Sequence, residues 1–143
     1  MADIVLGFDG SRSARAALEA AVAQAQAFGD RLVVVFADEP PGRSAGEEFR
    51  EHRRAIDEIA QRAFAEARET ARSAGIEVET LLVHERPPVA LETTARGRET
   101  RLIVVGTYGE GPFRSAILGS TPHKLLHFSE VPVLCVPSPR ERR

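Results

Sequence analysis

The chain has 143 residues, 43% hydrophobic and 28% charged, enough to bury one core and to predict one domain. Its 19 basic and 21 acidic side chains leave a formal net charge of −2, so no bulk field draws it to nucleic acid or an anionic membrane. The longest charge-free stretch, residues 20–29, falls far short of the ~20 apolar residues of a membrane helix.

The opening "MADIVLGFDG" carries an acid at Asp3 and no basic leader. It does not read as a secretory signal, and a cytoplasmic location is expected. Residues 3–8, "DIVLGF", form a short apolar run that ends in the turn signal "DGS". From Ser11 or Ser13 a helix is predicted, because Ala14, Ala17, Leu18, Ala21, Val22, Ala25 and Phe28 recur at helical spacing and Gly29 follows as a C-cap. "RLVVVFA" (31–37) is a second β-branched run of strand length.

A long helix is predicted from about Glu47 to Ser73, its stripe running through Phe49, Ile56, Ile59, Ala60, Ala63, Phe64, Ala67 and Ala71, with Gly75 closing it. "IEVETLLVH" (76–84) alternates and then turns apolar, as a strand near a sheet edge does. A short proline-started helix over "PPVALETTARG" precedes the apolar run "RLIVVG" (101–106). After a glycine-rich stretch come a helix "TPHKLLHFS" and a last strand "VPVLCVP". Cys135, the only cysteine, lies in that strand and reads as a buried, inert thiol.

Alternating strands and helices with near-continuous apolar strands predict an α/β domain over residues 1–137. Its core is a doubly wound, five-stranded parallel sheet with helices on both faces. Residues 138–143 read as a short basic tail. In such sheets ligands bind beyond the carboxyl ends of the strands, where the winding reverses. Two loops there carry unusual residues: "GFDGS", with Asp9 and Gly10, and "VVGTYGEGPFRSAILGSTP" (104–122).

In the second loop Gly106 can turn sharply at a strand end, and Gly109 and Gly111 can take positive φ and expose consecutive N–H groups. Gly119 permits close backbone approach, and Ser120 or Thr121 is placed to N-cap a helix beginning at Pro122. A helix start with free N–H groups and hydroxyls suits an anion, phosphate above all, and Arg114 can add a charge-assisted contact. The same residues also have a plainer reading as a loop that binds nothing, and Asp9 one as a helix cap or turn brace. Neither Gly-x-x-x-x-Gly-Lys-Ser/Thr nor Gly-x-Gly-x-x-Gly occurs after the first strand.

Gly106, two residues, Gly109, nine residues, Gly119 and Ser120 reproduce the motif of ATP-binding universal stress proteins, and the chain resembles that family nearly throughout. "DIVLGFDGSRSARAALEAA" resembles its first strand, acidic turn and helix, and "VPVLCVP" its last strand. The resemblance implies strand order 3-2-1-4-5 and a homodimer paired through the last strand, Val131 to Val136. It places Asp9 at the ribose, Gly7 and the backbone near Ala37 beside the adenine or sugar, and Gly106, Gly109, Gly119, Ser120 and Thr121 around the phosphates. The implied ligand is ATP, with AMP or ADP as competitors, together with Mg; no nucleic-acid or membrane partner and no resident metal site are implied.

Three residues depart from the family pattern. Pro122 replaces a common Ser or Thr and removes a hydroxyl and an N–H from the phosphate end. Arg101 replaces an acid before the fourth strand, and Glu85 a glycine after the third. The glycine loop shows no general base, and His84, His123 and His127 read as surface or packing residues. A dimeric nucleotide-binding sensor is therefore the expected function. The alternatives are a slow ATPase or another ATP-using enzyme of the α-hydrolase-like kind, and a partner-binding dimer that holds no nucleotide.

Overall fold

The computed structural model describes residues 1–39, 46–107 and 119–138. Its elements alternate as predicted: β1 (Asp3–Gly7), α1 (Arg12–Phe28), β2 (Arg31–Ala37), α2 (Glu47–Ser73), β3 (Val78–Val83), α3 (Pro87–Arg96), β4 (Thr100–Gly106), α4 (Ser120–Phe128) and β5 (Val133–Val136). The five strands form one parallel sheet in the order β3-β2-β1-β4-β5. β3 is an edge strand, as its alternating start predicted.

Successive strand residues point to opposite faces, so β1 feeds two cores. Ile4 and Leu6 join Leu32, Val34 and Val104 beneath α1 and α2. Val5 joins Val33, Val35, Ile103 and Val105 beneath α3 and α4, where Ala90, Leu91, Ala95 and Leu125 close the layer. Burial on both faces explains why these strands are apolar runs rather than alternating ones.

Local signals set the helix ends. The Ser11 side chain accepts from the Ala14 N–H, and Gly29 takes the left-handed conformation (φ 70°, ψ 33°) while its N–H caps Ala25. The predicted stripe of α2 is fully buried only from Ala60 onward, with Ile56 partly buried against the same core. Ile59 is 42% exposed, and Phe49 lies under the guanidinium of Arg53 at 5.5 Å from its ring. Phe28, placed in the α1 stripe by its spacing, is instead half exposed, and Arg101 lies 4.2 Å over its ring. The buried stripe of α1 ends at Ala25.

The amino ends of the strands carry an ionic layer. Arg31 grips the buried Asp3 through two bonds of 2.9 and 3.2 Å, and Arg98 bridges Asp3 (3.3 Å) and Glu79 (2.5 Å). Asp30, also buried, accepts from Arg101 and from the N–H of Ala2. These hydrogen bonds hold the Asp30 and Glu79 carboxyls below their ordinary range, against the opposing effect of burial. Arg101 thus has a local structural task.

Candidate functional site

The chain winds from β1 outward through β2 to β3, then crosses back to β4 on the other side of β1. β1 and β4 are therefore the neighbours between which the winding reverses, and their carboxyl ends are Gly7 and Gly106. A cleft of about 210 Å³ opens there. It is lined by Gly7, Asp9, Ala37, Gly106, Gly119, Ser120 and Thr121, seven of the residues singled out from sequence. Gly109, Gly111 and Arg114 lie outside the described residues.

Asp9 sits in the turn after β1, where one carboxylate oxygen accepts from the Ser11 N–H at 2.9 Å. Its other oxygen accepts nothing among the described residues, so it is available to a ligand hydroxyl. Gly10, with φ +80°, makes the turn that delivers the chain into α1. Among the described residues Asp9 is the only acid lining the cleft.

On the opposite wall, α4 begins at Ser120, two residues before the start at Pro122 that the Ser-Thr-Pro pattern predicted. Gly119 is the N-cap, in extended geometry and without a side-chain cap bond; Ser120 and Thr121 are the first two helical residues and Pro122 the third. The Gly119 N–H donates to Thr107 O at 2.7 Å, His123 N–H closes the first helical bond onto Gly119 O at 3.1 Å, and Pro122 has no N–H. The N–H groups of Ser120 and Thr121 are left with no acceptor inside the helix, at its positive end. Two amides flanked by two hydroxyls are chemically suited to receive an anion.

The third wall was not visible in the sequence. Pro87 and Leu91 of α3 reach the cleft from beneath the sheet, and Leu91 packs so closely that a Cβ on Gly7 would stand 3.0 Å from its Cδ1. Ala37 closes this side at the end of β2. Beyond it Asp38 donates its N–H to Val83 O, its carboxylate lies 4.0 Å from His84 Nδ1, and Glu39 pairs with Arg86 at 3.0 Å. Ser11, Ser13 and Pro122 also line the cleft and were not among the predicted site residues. Periodicity placed the serines at the helix start but could not show which way that start opens.

Other candidates lie elsewhere. His123 and His127 stack edge to face at 4.9 Å on the exposed side of α4, outside the cleft. Among the described residues no group of three or more His, Cys, Asp or Glu side chains could hold a metal ion. Cys135 is only partly buried on β5, and desolvation raises its thiol above the ordinary value. No described helix is long and apolar enough to cross a membrane.

The chain and its fold have counterparts among known proteins. The universal stress protein in the QAH/OAS sulfhydrylase 3′ region of Thermus aquaticus is 40% identical over 134 residues, 93% of this chain and 96% of that one. A universal stress protein in complex with cAMP superimposes with a TM-score of 0.73 at 28% identity, covering 96% and 98% of the two chains. The universal stress protein of Archaeoglobus fulgidus, solved in complex with dAMP, shares the fold with a TM-score of 0.72 at 22% identity over 95% and 98%. With the family's sequence model also matching residues 1–137, the chain belongs to the universal stress protein family.

Proposed function

We propose that the protein binds an adenine nucleotide in the β1/β4 cleft and acts as a dimeric sensor or regulatory module. The observation that carries this reading is the convergence of Asp9, Gly106, Gly119, Ser120 and Thr121 on one cleft at the topological switch point. The relative solved with cAMP supports the ligand class. Asp9 meets the ribose, Gly7 and Ala37 flank the base, and the α4 start with Gly106, Gly109, Gly111 and Arg114 receives the phosphates. ATP is the intended ligand, with AMP and ADP as competitors. Magnesium accompanies ATP on its phosphates, with Asp9 the carboxylate among the described cleft residues that could take part.

The dimer reading rests on β5, an edge strand of four partly buried residues. Pro132 O and Val136 O accept from β4, so the N–H and C=O groups of Val133 and Cys135 face outward. Antiparallel pairing of two copies centred on Leu134 would satisfy all four groups on each chain.

The test is a thermal melt of the full chain with ATP-Mg, ADP and AMP, beside mass spectrometry of any ligand that co-purifies. A rise in Tm of several degrees at millimolar nucleotide supports the reading. No shift with any of the three sinks it.

A further inference from the structure

Thr107 follows the last residue of β4, and its backbone is fully engaged. Its N–H donates to Val136 O at 3.0 Å and its carbonyl accepts the Gly119 N–H at 2.7 Å. Its side chain is not engaged. Among the described residues, Thr107 Oγ1 is the only buried side-chain nitrogen or oxygen without a hydrogen-bond partner. Buried hydroxyls are nearly always paired, because an unpaired one gives up its bonds to water and gains nothing. The packing of the free fold gives no reason to prefer threonine to valine at this position.

The direction of the side chain points to a use. Thr107 continues the ladder in which the Ile103 N–H donates to Pro132 O, so strand alternation puts its side chain on the face of Ile103 and Val105. On that face α4 packs and Val105 lines the cleft. Gly119, bonded to Thr107, is the N-cap of α4, and the N–H groups of Ser120 and Thr121 just beyond it have no intrahelical acceptor. One unspent hydroxyl and two unspent amides therefore flank the Gly119–Thr107 bond, at the positive end of a nine-residue helix. Donors alone suit an anion, whereas a neutral sugar would leave the helix field unused.

We infer that the Thr107 hydroxyl donates to a phosphate oxygen of the bound nucleotide, on the same phosphate that the Ser120 and Thr121 amides receive. Oγ1 is covered in the free chain, although the residue keeps some exposed surface. A step of about 120° between staggered χ1 wells moves the hydroxyl off its covered position, so the contact forms as the phosphate arrives. This rests on the nucleotide reading above and adds a donor from the strand side to its phosphate site. Threonine then weakens the free fold slightly and strengthens the complex.

Thr107→Val keeps the side-chain shape and removes the hydroxyl, which separates this role from a structural one. AMP and adenosine are titrated against the full-length wild type and variant by ligand-observed NMR, which reads millimolar affinities, and the ligand-free Tm is recorded. The expected result is about tenfold weaker AMP binding, the scale of a hydrogen bond to a charged group, with adenosine unchanged. The ligand-free Tm should be no lower than that of the wild type, because the lost hydroxyl had no partner there. Thr107→Ser, which keeps the hydroxyl, should keep AMP affinity close to the wild type. Unchanged AMP affinity in Thr107→Val, equal losses for AMP and adenosine, or an equal AMP loss in Thr107→Ser overturns the inference. So does a lowered Tm or failure of Thr107→Val to fold, since the hydroxyl would then be serving the free fold. Wild type binding neither compound overturns the nucleotide reading and this inference with it, a result distinct from the others.

Discussion

The backbone N–H of Gly119 donates to the carbonyl of Thr107 at 2.7 Å, while the N–H of Thr107 donates to Val136 at 3.0 Å. One residue at the end of β4 thereby fastens both the last strand and the start of α4, so the two ends of the glycine motif are held together by the sheet. Valine at position 119 keeps the N–H and hence this fastening, but adds a branched side chain to the cleft lining. Gly119→Val should abolish the nucleotide-induced rise in Tm. The ligand-free stability should fall by no more than about 1–2 kcal/mol, the scale of a lost N-cap preference. A variant that still binds with wild-type affinity moves the site elsewhere.

Pro122 limits the free amides at the start of α4 to those of Ser120 and Thr121. Serine at this position adds an N–H and a hydroxyl at the third helical position, where no intrahelical acceptor competes for the N–H. Pro122→Ser should therefore raise affinity for ATP more than for AMP, shifting their ratio by about three- to tenfold, on the scale of one added charge-assisted contact. Calorimetric titration with both nucleotides reads the ratio directly. An unchanged ratio means that the further phosphates are held without this helix turn.

The strands and long helices were legible because their signals are local: β-branched runs for β1, β2 and β4, and Gly29 in the left-handed conformation after α1. The start of α4 was misjudged by two residues because Ser or Thr before Pro is a strong capping pattern. Here the backbone of Gly119 caps instead, and Pro122 is tolerated at the third helical position because its missing N–H would have no intrahelical partner. Leu91 and Ser13 could not be read at all. Their place on the cleft depends on α3 passing beneath β1 and on α1 opening toward β4, and both follow from strand order.

Gly7 carries the packing between the cleft and α3. A Cβ there meets Leu91 Cδ1 at 3.0 Å, Leu91 Cδ2 at 3.4 Å and Val105 Cγ1 at 3.5 Å. Leu91 is 1% exposed and has little room to yield. Gly7→Ala should cost about 1–2 kcal/mol by overpacking, measured by urea denaturation, and should weaken base-side binding because Leu91 lines the same wall. Gly7→Ala paired with Leu91→Val should recover part of the stability, since the shorter side chain relieves the contact. Absence of that recovery would assign the loss to a neighbour other than Leu91, since Gly7 has no positive φ that alanine would strain.

Asp30 makes stability depend on acid. Its folded-state pKa is lowered, first by the side-chain hydrogen bond from Arg101 and with help from the Ala2 N–H, while burial opposes the shift. A carboxyl with a depressed folded pKa stabilises the fold fully above its unfolded value of about 3.9. That contribution is lost as pH falls below about 4, through the folded value. Asp30→Asn should therefore melt lower than wild type at pH 7, and the gap should narrow as the pH is taken down through that range. A gap independent of pH would show that the ionised pair contributes nothing beyond its hydrogen bonds.

Cys135 tests the assembly more directly than its thiol does. With Pro132 and Val136 bonded to β4, the N–H of Cys135 points away from the sheet, and proline is tolerated on such an outward edge. Two copies paired antiparallel about Leu134 would exchange four backbone bonds through Val133 and Cys135, and the symmetry makes each substitution count twice. Cys135→Pro removes two of the four donors and puts a ring where the partner strand must lie. Sedimentation equilibrium of the wild type should show a dimer, and the variant a monomer that keeps its circular-dichroism spectrum. Cys135→Ser, which keeps the N–H, should remain dimeric. If Cys135→Pro is still a dimer, the copies meet through another surface.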